Sequence, residues 1–273
     1  MTTAPDRPSL PHIQLQREKQ SRPRLALGLD EGADMIVLIG GEKGGVGKTT
    51  LAVNLAAMRA RAGHDVLLVD ADKQASANLW ASIRDQEKVE PPVRCVQKRG
   101  KGLAADVRDL ATRYEDIVID AGGQDSVELR AAMTIAALAI FPIQPSLFDA
   151  ATLETLAQLV AQAQAFNPGL VAGVVINRAS PNPRVKEAEE AKDLIAEYSD
   201  LHLMQALLRD RIVFRKAVRN GLCVLECQER DQAAGTEVSD LYREVYGDAK
   251  STGPCESPER ASDRQHCRCR GLY

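Results

Sequence analysis

The sequence predicts an α/β fold, a mostly parallel sheet with helices on both faces. Two observations carry this. Short apolar runs, such as residues 66–69 and 116–119, alternate with helical segments of about 10 to 15 residues, as buried strands and crossover helices do. Aromatic residues are only 4% of the chain while hydrophobic residues reach 44%, so the core is built of small aliphatic side chains suited to helix-on-sheet packing.

In order, residues 35–39 read as a strand that is apolar throughout, and 49–62 as a helix stopped by Gly63. Residues 66–69 form a second buried strand closing on Asp70-Ala71-Asp72. Residues 76–86 are helical, 93–96 a short strand and 104–114 helical. The strand at 116–119 ends on Asp120. A helix at 126–136 precedes the strand 138–143, which Pro145 ends. The helix 150–166 stops at Asn167-Pro168-Gly169. A strand at 170–176 closes on Asn177, and 184–198 form a charged surface helix. A last strand at 204–208, a helix at 213–220 stopped by Gly221 and a closing helix at 237–246 complete one domain, 35–247. Residues 1–34, with Pro5, Pro8, Pro11 and Pro23, read as a disordered N-terminal tail, and 248–273, with Gly253, Pro254 and Pro258, as a disordered C-terminal tail.

Between the first strand and the first helix lies Gly40-Gly41-Glu42-Lys43-Gly44-Gly45-Val46-Gly47-Lys48-Thr49-Thr50. A glycine-rich turn after a strand lets backbone N–H groups converge on an anion, and the helix N-terminus adds positive potential. This is the context of a P-loop NTPase phosphate site. Gly44, Gly45, Val46, Gly47, Lys48, Thr49 and Thr50 are the candidate nucleotide-binding residues. Lys48 is placed to reach the β- and γ-phosphates and Thr49 to ligate Mg²⁺. Two further strands deliver Asp70-Ala71-Asp72-Lys73-Gln74 and Asp120-Ala121-Gly122-Gly123-Gln124-Asp125 to the same sheet edge. Carboxylates beside a phosphate site require a cation, so Mg²⁺ is implied, with Asp120 and Thr49 as metal ligands.

The loop departs from the ordinary G-x-x-x-x-G-K-[ST] spacing, with Glu42 in place of a glycine and a second lysine at position 43. Lys43-Gly44-Gly45-Val46-Gly47-Lys48-Thr49-Thr50 resembles the deviant Walker A box of the ParA/MinD family of ATPases. The resemblance covers roughly residues 35–247. It includes Ile143-Gln144-Pro145-Ser146 with Asp149, and the segment 214–221 before Glu226. It implies that Lys43 reaches the partner subunit's nucleotide in an ATP-dependent homodimer, and that Asp72 acts near the attacking water. Lys43, Lys48 and Asp72 are therefore the candidate catalytic residues. Asn177 matches a family asparagine that contacts adenine. Lys73 stands where the family usually has proline.

Lys plus Arg is 35 and Asp plus Glu 38, so any polyanion site must be local. Segment 209–219 supplies one: Arg209, Arg211, Arg215, Lys216 and Arg219 against the single acid Asp210. An i, i+4 spacing puts Arg211, Arg215 and Arg219 on one helix face. Arg211, Arg215, Lys216 and Arg219 are the candidate DNA-binding residues, and contacts to phosphates make that binding non-specific. The resemblance to small partition ATPases implies DNA segregation driven by ATP hydrolysis, with a ParB-like centromere-binding protein as partner. A MinD-like positioning ATPase without DNA binding and an ATP-dependent metabolic P-loop enzyme are the alternatives. Residues 249–273 lack an apolar face for membrane docking. No secretory segment and no apolar run of roughly 20 residues is visible, so the expected place is the cytoplasm, on the nucleoid. The six cysteines, Cys95, Cys223, Cys227, Cys255, Cys267 and Cys269, are then expected as thiols, with no zinc-like pair to complete His266-Cys267-Arg268-Cys269.

Overall fold

The computed structural model describes residues 35–123, 125–147, 150–182, 184–229 and 231–247. Both tails, with Cys255, His266, Cys267 and Cys269, lie outside the described residues, as do Gln124 and Asp149. Seven strands form one sheet: β1 Met35–Ile39, β2 Val66–Asp70, β3 Arg94–Gln97, β4 Asp116–Asp120, β5 Leu138–Ile143, β6 Val171–Ala179 and β7 His202–Arg209. Their spatial order is β3-β2-β4-β1-β5-β6-β7, and every neighbouring pair is parallel. Among the described residues the eight α-helices are α1 Lys48–Arg61, α2 Ser76–Gln86, α3 Leu103–Leu110, α4 Val127–Met133, α5 Ala150–Gln164, α6 Glu187–Ile195, α7 Ile212–Arg219 and α8 Gln232–Tyr246.

The strands are apolar on both sides because helices cover both sides. One core unites β-strand residues with α1, α2, α7 and α8, and the other with α3, α4, α5 and α6. β1 lies between β4 and β5, so the chain leaves the sheet centre in opposite directions from it, and a crevice opens at its carboxyl end. Registers bring the site together: Ile39 pairs with Asp120, and Asp120 with Asp70, so the ends of β1, β4 and β2 stand level.

The boundaries differ from expectation at particular points. α3 stops at Leu110, where Thr112 turns its hydroxyl onto the Asp109 carbonyl at 2.7 Å, a local bond that competes with the helix. α8 begins five residues earlier than its apolar pattern suggests. The Asp231 side chain caps it by accepting from the Ala234 N–H at 3.0 Å, so Gly235 and Thr236 are carried inside the helix. β6 runs past Asn177 to Ala179, with irregular pairing to β7.

One buried clamp ties α2 to the segment after α7. Arg84, 1% exposed, donates to Glu226 at 2.8 and 2.9 Å, to the Gly221 carbonyl at 3.0 Å and to the Pro91 carbonyl at 2.8 Å. Trp80 adds an indole bond to the Leu222 carbonyl at 3.1 Å. The approach requires glycine at 221: its φ is +66°, and a Cβ there would lie 2.5 Å from the Arg84 amide nitrogen, a backbone atom that cannot swing aside. Gly221→Ala is therefore expected to lower the unfolding free energy by about 2–4 kcal/mol in urea titration. A loss below about 0.5 kcal/mol would contradict the clamp.

Candidate nucleotide site

The loop from Gly40 to Gly47 carries the chain from β1 into α1. Gly47 precedes the first helical residue with φ +97°, and a Cβ on it would collide with the Asn177 side chain, so both backbone and space demand glycine. No side chain caps α1, which leaves its first N–H groups available to an anion. Lys48 is buried, and its Nζ folds back to donate to the Lys43 carbonyl at 2.8 Å. Burial pulls its pKa down, while Asp120 and Asp72 act in the opposite sense.

Thr49 donates its hydroxyl to Asp120 Oδ2 at 2.7 Å. Asp120 is completely buried, and its Oδ1 has no hydrogen-bond partner. Burial pushes the Asp120 pKa up to about 7, with Asp70 and Asp72 adding to the rise and the Thr49 hydroxyl opposing it. An orphaned carboxylate oxygen beside a threonine hydroxyl fits Mg²⁺. Asp120 and Thr49 would hold the ion, which supplies positive charge to the phosphates; one or two protein oxygens plus phosphate oxygens are the usual magnesium set. Among the described residues no group of three or more His, Cys, Asp and Glu forms a metal site by itself.

A pH dependence follows. The folded pKa of Asp120 lies above its unfolded value, so between about pH 4 and pH 7 the metal-free fold binds a proton that the unfolded chain does not. That contribution is complete below about pH 4 and is lost as pH rises through about 7. Mg²⁺ takes the ionised carboxylate, so the rise in Tm given by MgCl₂ with ADP should be larger at pH 8 than at pH 6. An increment independent of pH would separate Asp120 from the metal.

Asp70 and Asp72 divide their roles. Asp70 is fully buried and accepts the Asp72 N–H at 3.1 Å and the Asn78 N–H at 2.8 Å, holding the turn into α2. The Asp72 carboxylate accepts the Gln74 N–H at 3.0 Å, and it faces the loop after β4: a Cβ on Gly122 would come 3.2 Å from Asp72 Cγ. A Cβ on Gly123 would come 3.3 Å from the Glu42 carbonyl and 3.4 Å from Lys48 Nζ. The two glycines thus let the loop after Asp120 fit between the phosphate loop and Asp72. Gln144 bonds Ser146 at 3.0 Å in the 3₁₀ turn Pro145–Leu147, and the neighbouring Gln144 and Thr152 share a small cavity of about 30 Å³ with Lys43.

Asn177 lies inside β6 rather than at its close. Its side-chain amide donates to the Val46 carbonyl at 2.7 Å, so it braces the phosphate loop from the sheet side. Arg178, which sequence reasoning did not assign to the site, donates to the Gly45 carbonyl at 2.6 Å.

The basic segment differs from the expected single face. Arg211 precedes α7 as its cap residue, half-buried, and forks onto the buried Glu237 at 2.9 Å. Arg209 meets the same carboxylate at 3.0 Å. Arg215 pairs with Asp210 at 2.7 Å and Lys216 with Glu229 at 2.8 Å. The fold therefore adds Glu229, Asp231 and Glu237 to the one acid visible locally, and five cations face four carboxylates. Arg215, Lys216 and Arg219 remain exposed on α7.

The loop, the switch-point crevice and the paired strand-end aspartates define a P-loop nucleotide-binding protein. Comparison with known proteins names the family. Residues 37–223 match the CobQ/CobB/MinD/ParA nucleotide binding domain, and the chain belongs to this family. It is 32% identical over 221 residues to the maintenance of carboxysome distribution protein A of Gloeobacter kilaueensis, covering 80% of this chain and 95% of that one. It is 23% identical over 210 residues to protein ParA of Rhizobium radiobacter, covering 76% and 93%. The fold is that of the septum site-determining protein MinD of Pyrococcus horikoshii, solved with Mg-ADP, at a TM-score of 0.60 and 20% identity over 77% of this chain and 95% of that one. The ParA/MinD resemblance of the loop and the parallel α/β architecture are thus both borne out.

Proposed function

We propose that this chain is an ATP-switched positioning ATPase. Mg²⁺-ATP joins two copies, the dimer binds DNA without regard to sequence, and hydrolysis releases it. The observation that supports this most is the convergence of a two-lysine phosphate loop, Asp72 and the Asp120–Thr49 pair on one sheet edge. Lys48 serves the nucleotide of its own subunit, Lys43 the partner's, and Asp72 holds the attacking water. Asn177 braces the loop and contacts adenine. Among the described residues no helix is long and apolar enough to cross a membrane, and the proposed location is the nucleoid.

Cargo is the finer question. The ParA relative supports a DNA partition complex handed over by a ParB-like protein, while the carboxysome distribution relative supports a protein assembly as cargo. Both use the same switch, and α7 is the proposed DNA surface in either case. Each of Arg215, Lys216 and Arg219 would meet a phosphate. The nearby acids make their net attraction weaker than the local sequence suggests, so the contact must displace the Asp210 and Glu229 pairs. Arg215→Ala with Arg219→Ala should reduce DNA affinity and flatten log Kd against log salt by about 2, the slope of two lost phosphate contacts. ATP hydrolysis without DNA should continue. An unchanged slope in fluorescence anisotropy would move the DNA surface elsewhere, for instance to Arg94, Lys98, Arg99 and Lys101.

A further inference from the structure

We infer that Arg178 is a positioning residue for the phosphate loop, acting through the Gly45 carbonyl and itself oriented by Asp210. The reasoning begins with peptide geometry. In a trans peptide the C=O and the following N–H point in opposite directions. The cation on the Gly45 carbonyl therefore fixes where the Val46 N–H points, just as the Asn177 amide on the Val46 carbonyl fixes the Gly47 N–H. Both carbonyls are held from the β6 side, so both N–H groups are turned away from it. Aligned N–H groups are the means by which a glycine-rich loop holds phosphate. A glycine loop without such external bonds would sample many peptide orientations, and ordering them would weaken every binding event.

Three features set Arg178 apart from a surface arginine that happens to lie nearby. Its backbone has φ +55°, a left-handed conformation that is unfavourable for a non-glycine residue and persists only where surrounding structure enforces it. This turn falls at the irregular pairing between β6 and β7 and directs the side chain at the loop. Its guanidinium also forms an ion pair with Asp210, 3.6 Å from Nε, and Asp210 is pinned to β6 by its own N–H on the Ala179 carbonyl at 2.9 Å. A planar fork held on one side by a carboxylate presents its other N–H groups in a fixed direction, which a lysine cannot do. The same Asp210 oxygen serves Arg215 at 2.7 Å, so the orienting carboxylate is shared with α7.

This proposal rests on nucleotide binding at the loop, and the experiment distinguishes the two. ADP with MgCl₂ is titrated calorimetrically into the full chain and into Arg178→Gln, Arg178→Lys and Asp210→Asn, and KM and kcat for ATP are measured for each. A loss of roughly three- to tenfold in ADP affinity is expected for Arg178→Gln, the scale of one partly exposed charge-assisted bond. Arg178→Lys and Asp210→Asn should fall between it and the parent. KM for ATP should rise with kcat largely kept, and the Tm of the nucleotide-free proteins should stay within a few degrees of the parent. Parent-like ADP affinity in Arg178→Gln would overturn the proposal, as would an affinity loss matched by a large fall in nucleotide-free Tm, which marks a folding role. A parent chain that fails to bind ADP would overturn the nucleotide reading and this inference together.

Discussion

Lys48→Ala should bind neither ATP nor ADP at concentrations that saturate the parent. Lys48 is the single lysine that the loop buries, and its ammonium already occupies the cradle by donating to the Lys43 carbonyl at 2.8 Å. Phosphate replaces that carbonyl with a far better partner, because a triphosphate carries full negative charge in the same desolvated place. Burial lowers the Lys48 pKa, and Asp120 and Asp72 oppose that shift. Removing one member of such a buried charge pair costs about 2–5 kcal/mol, roughly 30-fold to several thousandfold in affinity. Calorimetry with MgCl₂ and ADP reads this directly. The nucleotide-free variant should keep its fold, since the Lys48 side chain makes a single hydrogen bond, to the Lys43 carbonyl.

Lys43→Ala should separate binding from assembly. Lys43 lines a small cavity with Gln144 and Thr152, and its backbone carbonyl is the one that receives Lys48. A second lysine five positions before Lys48 is redundant for the subunit's own phosphates. In the proposed dimer it would neutralise the facing triphosphate and stabilise charge that develops in phosphoryl transfer. The variant is expected to bind ADP within a few-fold of the parent, to remain monomeric with a non-hydrolysable ATP analogue, and to lose about 100-fold or more in phosphate release. Light scattering measures the first effect and a phosphate assay the second. If the variant dimerises and hydrolyses as the parent does, Lys43 is a loop residue only.

The parts of the molecule written in contiguous sequence were legible. Strands such as 35–39, 66–69 and 116–119 stood out as short apolar runs, and the phosphate loop was readable because its chemistry is local: glycines, lysine and threonine within a single turn. Asp120 and Asp72 were readable because a parallel sheet carries its functional residues to the strand ends. What escaped depends on distant partners. Glu237 is 26 residues from Arg211, and nothing in the local pattern says that a buried carboxylate of α8 will take up two arginines. Arg178 looked like an ordinary residue after a strand, because its left-handed backbone and its bond to Gly45 across 133 positions arise only once β6 lies beside the loop. The early start of α8 escaped for a different reason: Gly235 and Thr236 are poor helix formers, and burial against β7 overrides them.

The switch itself is tested by one titration. A fluorescent duplex of arbitrary sequence is titrated with the full chain at fixed salt, with Mg²⁺-ATP, with Mg²⁺-ADP and without nucleotide, and repeated with a second duplex of unrelated sequence. An ATP-switched DNA-binding dimer predicts affinity at least about tenfold tighter with ATP than in either other state, since two linked binding faces act together, and equal affinity for the two duplexes. Equal binding in all three nucleotide states, or none in any, would contradict it.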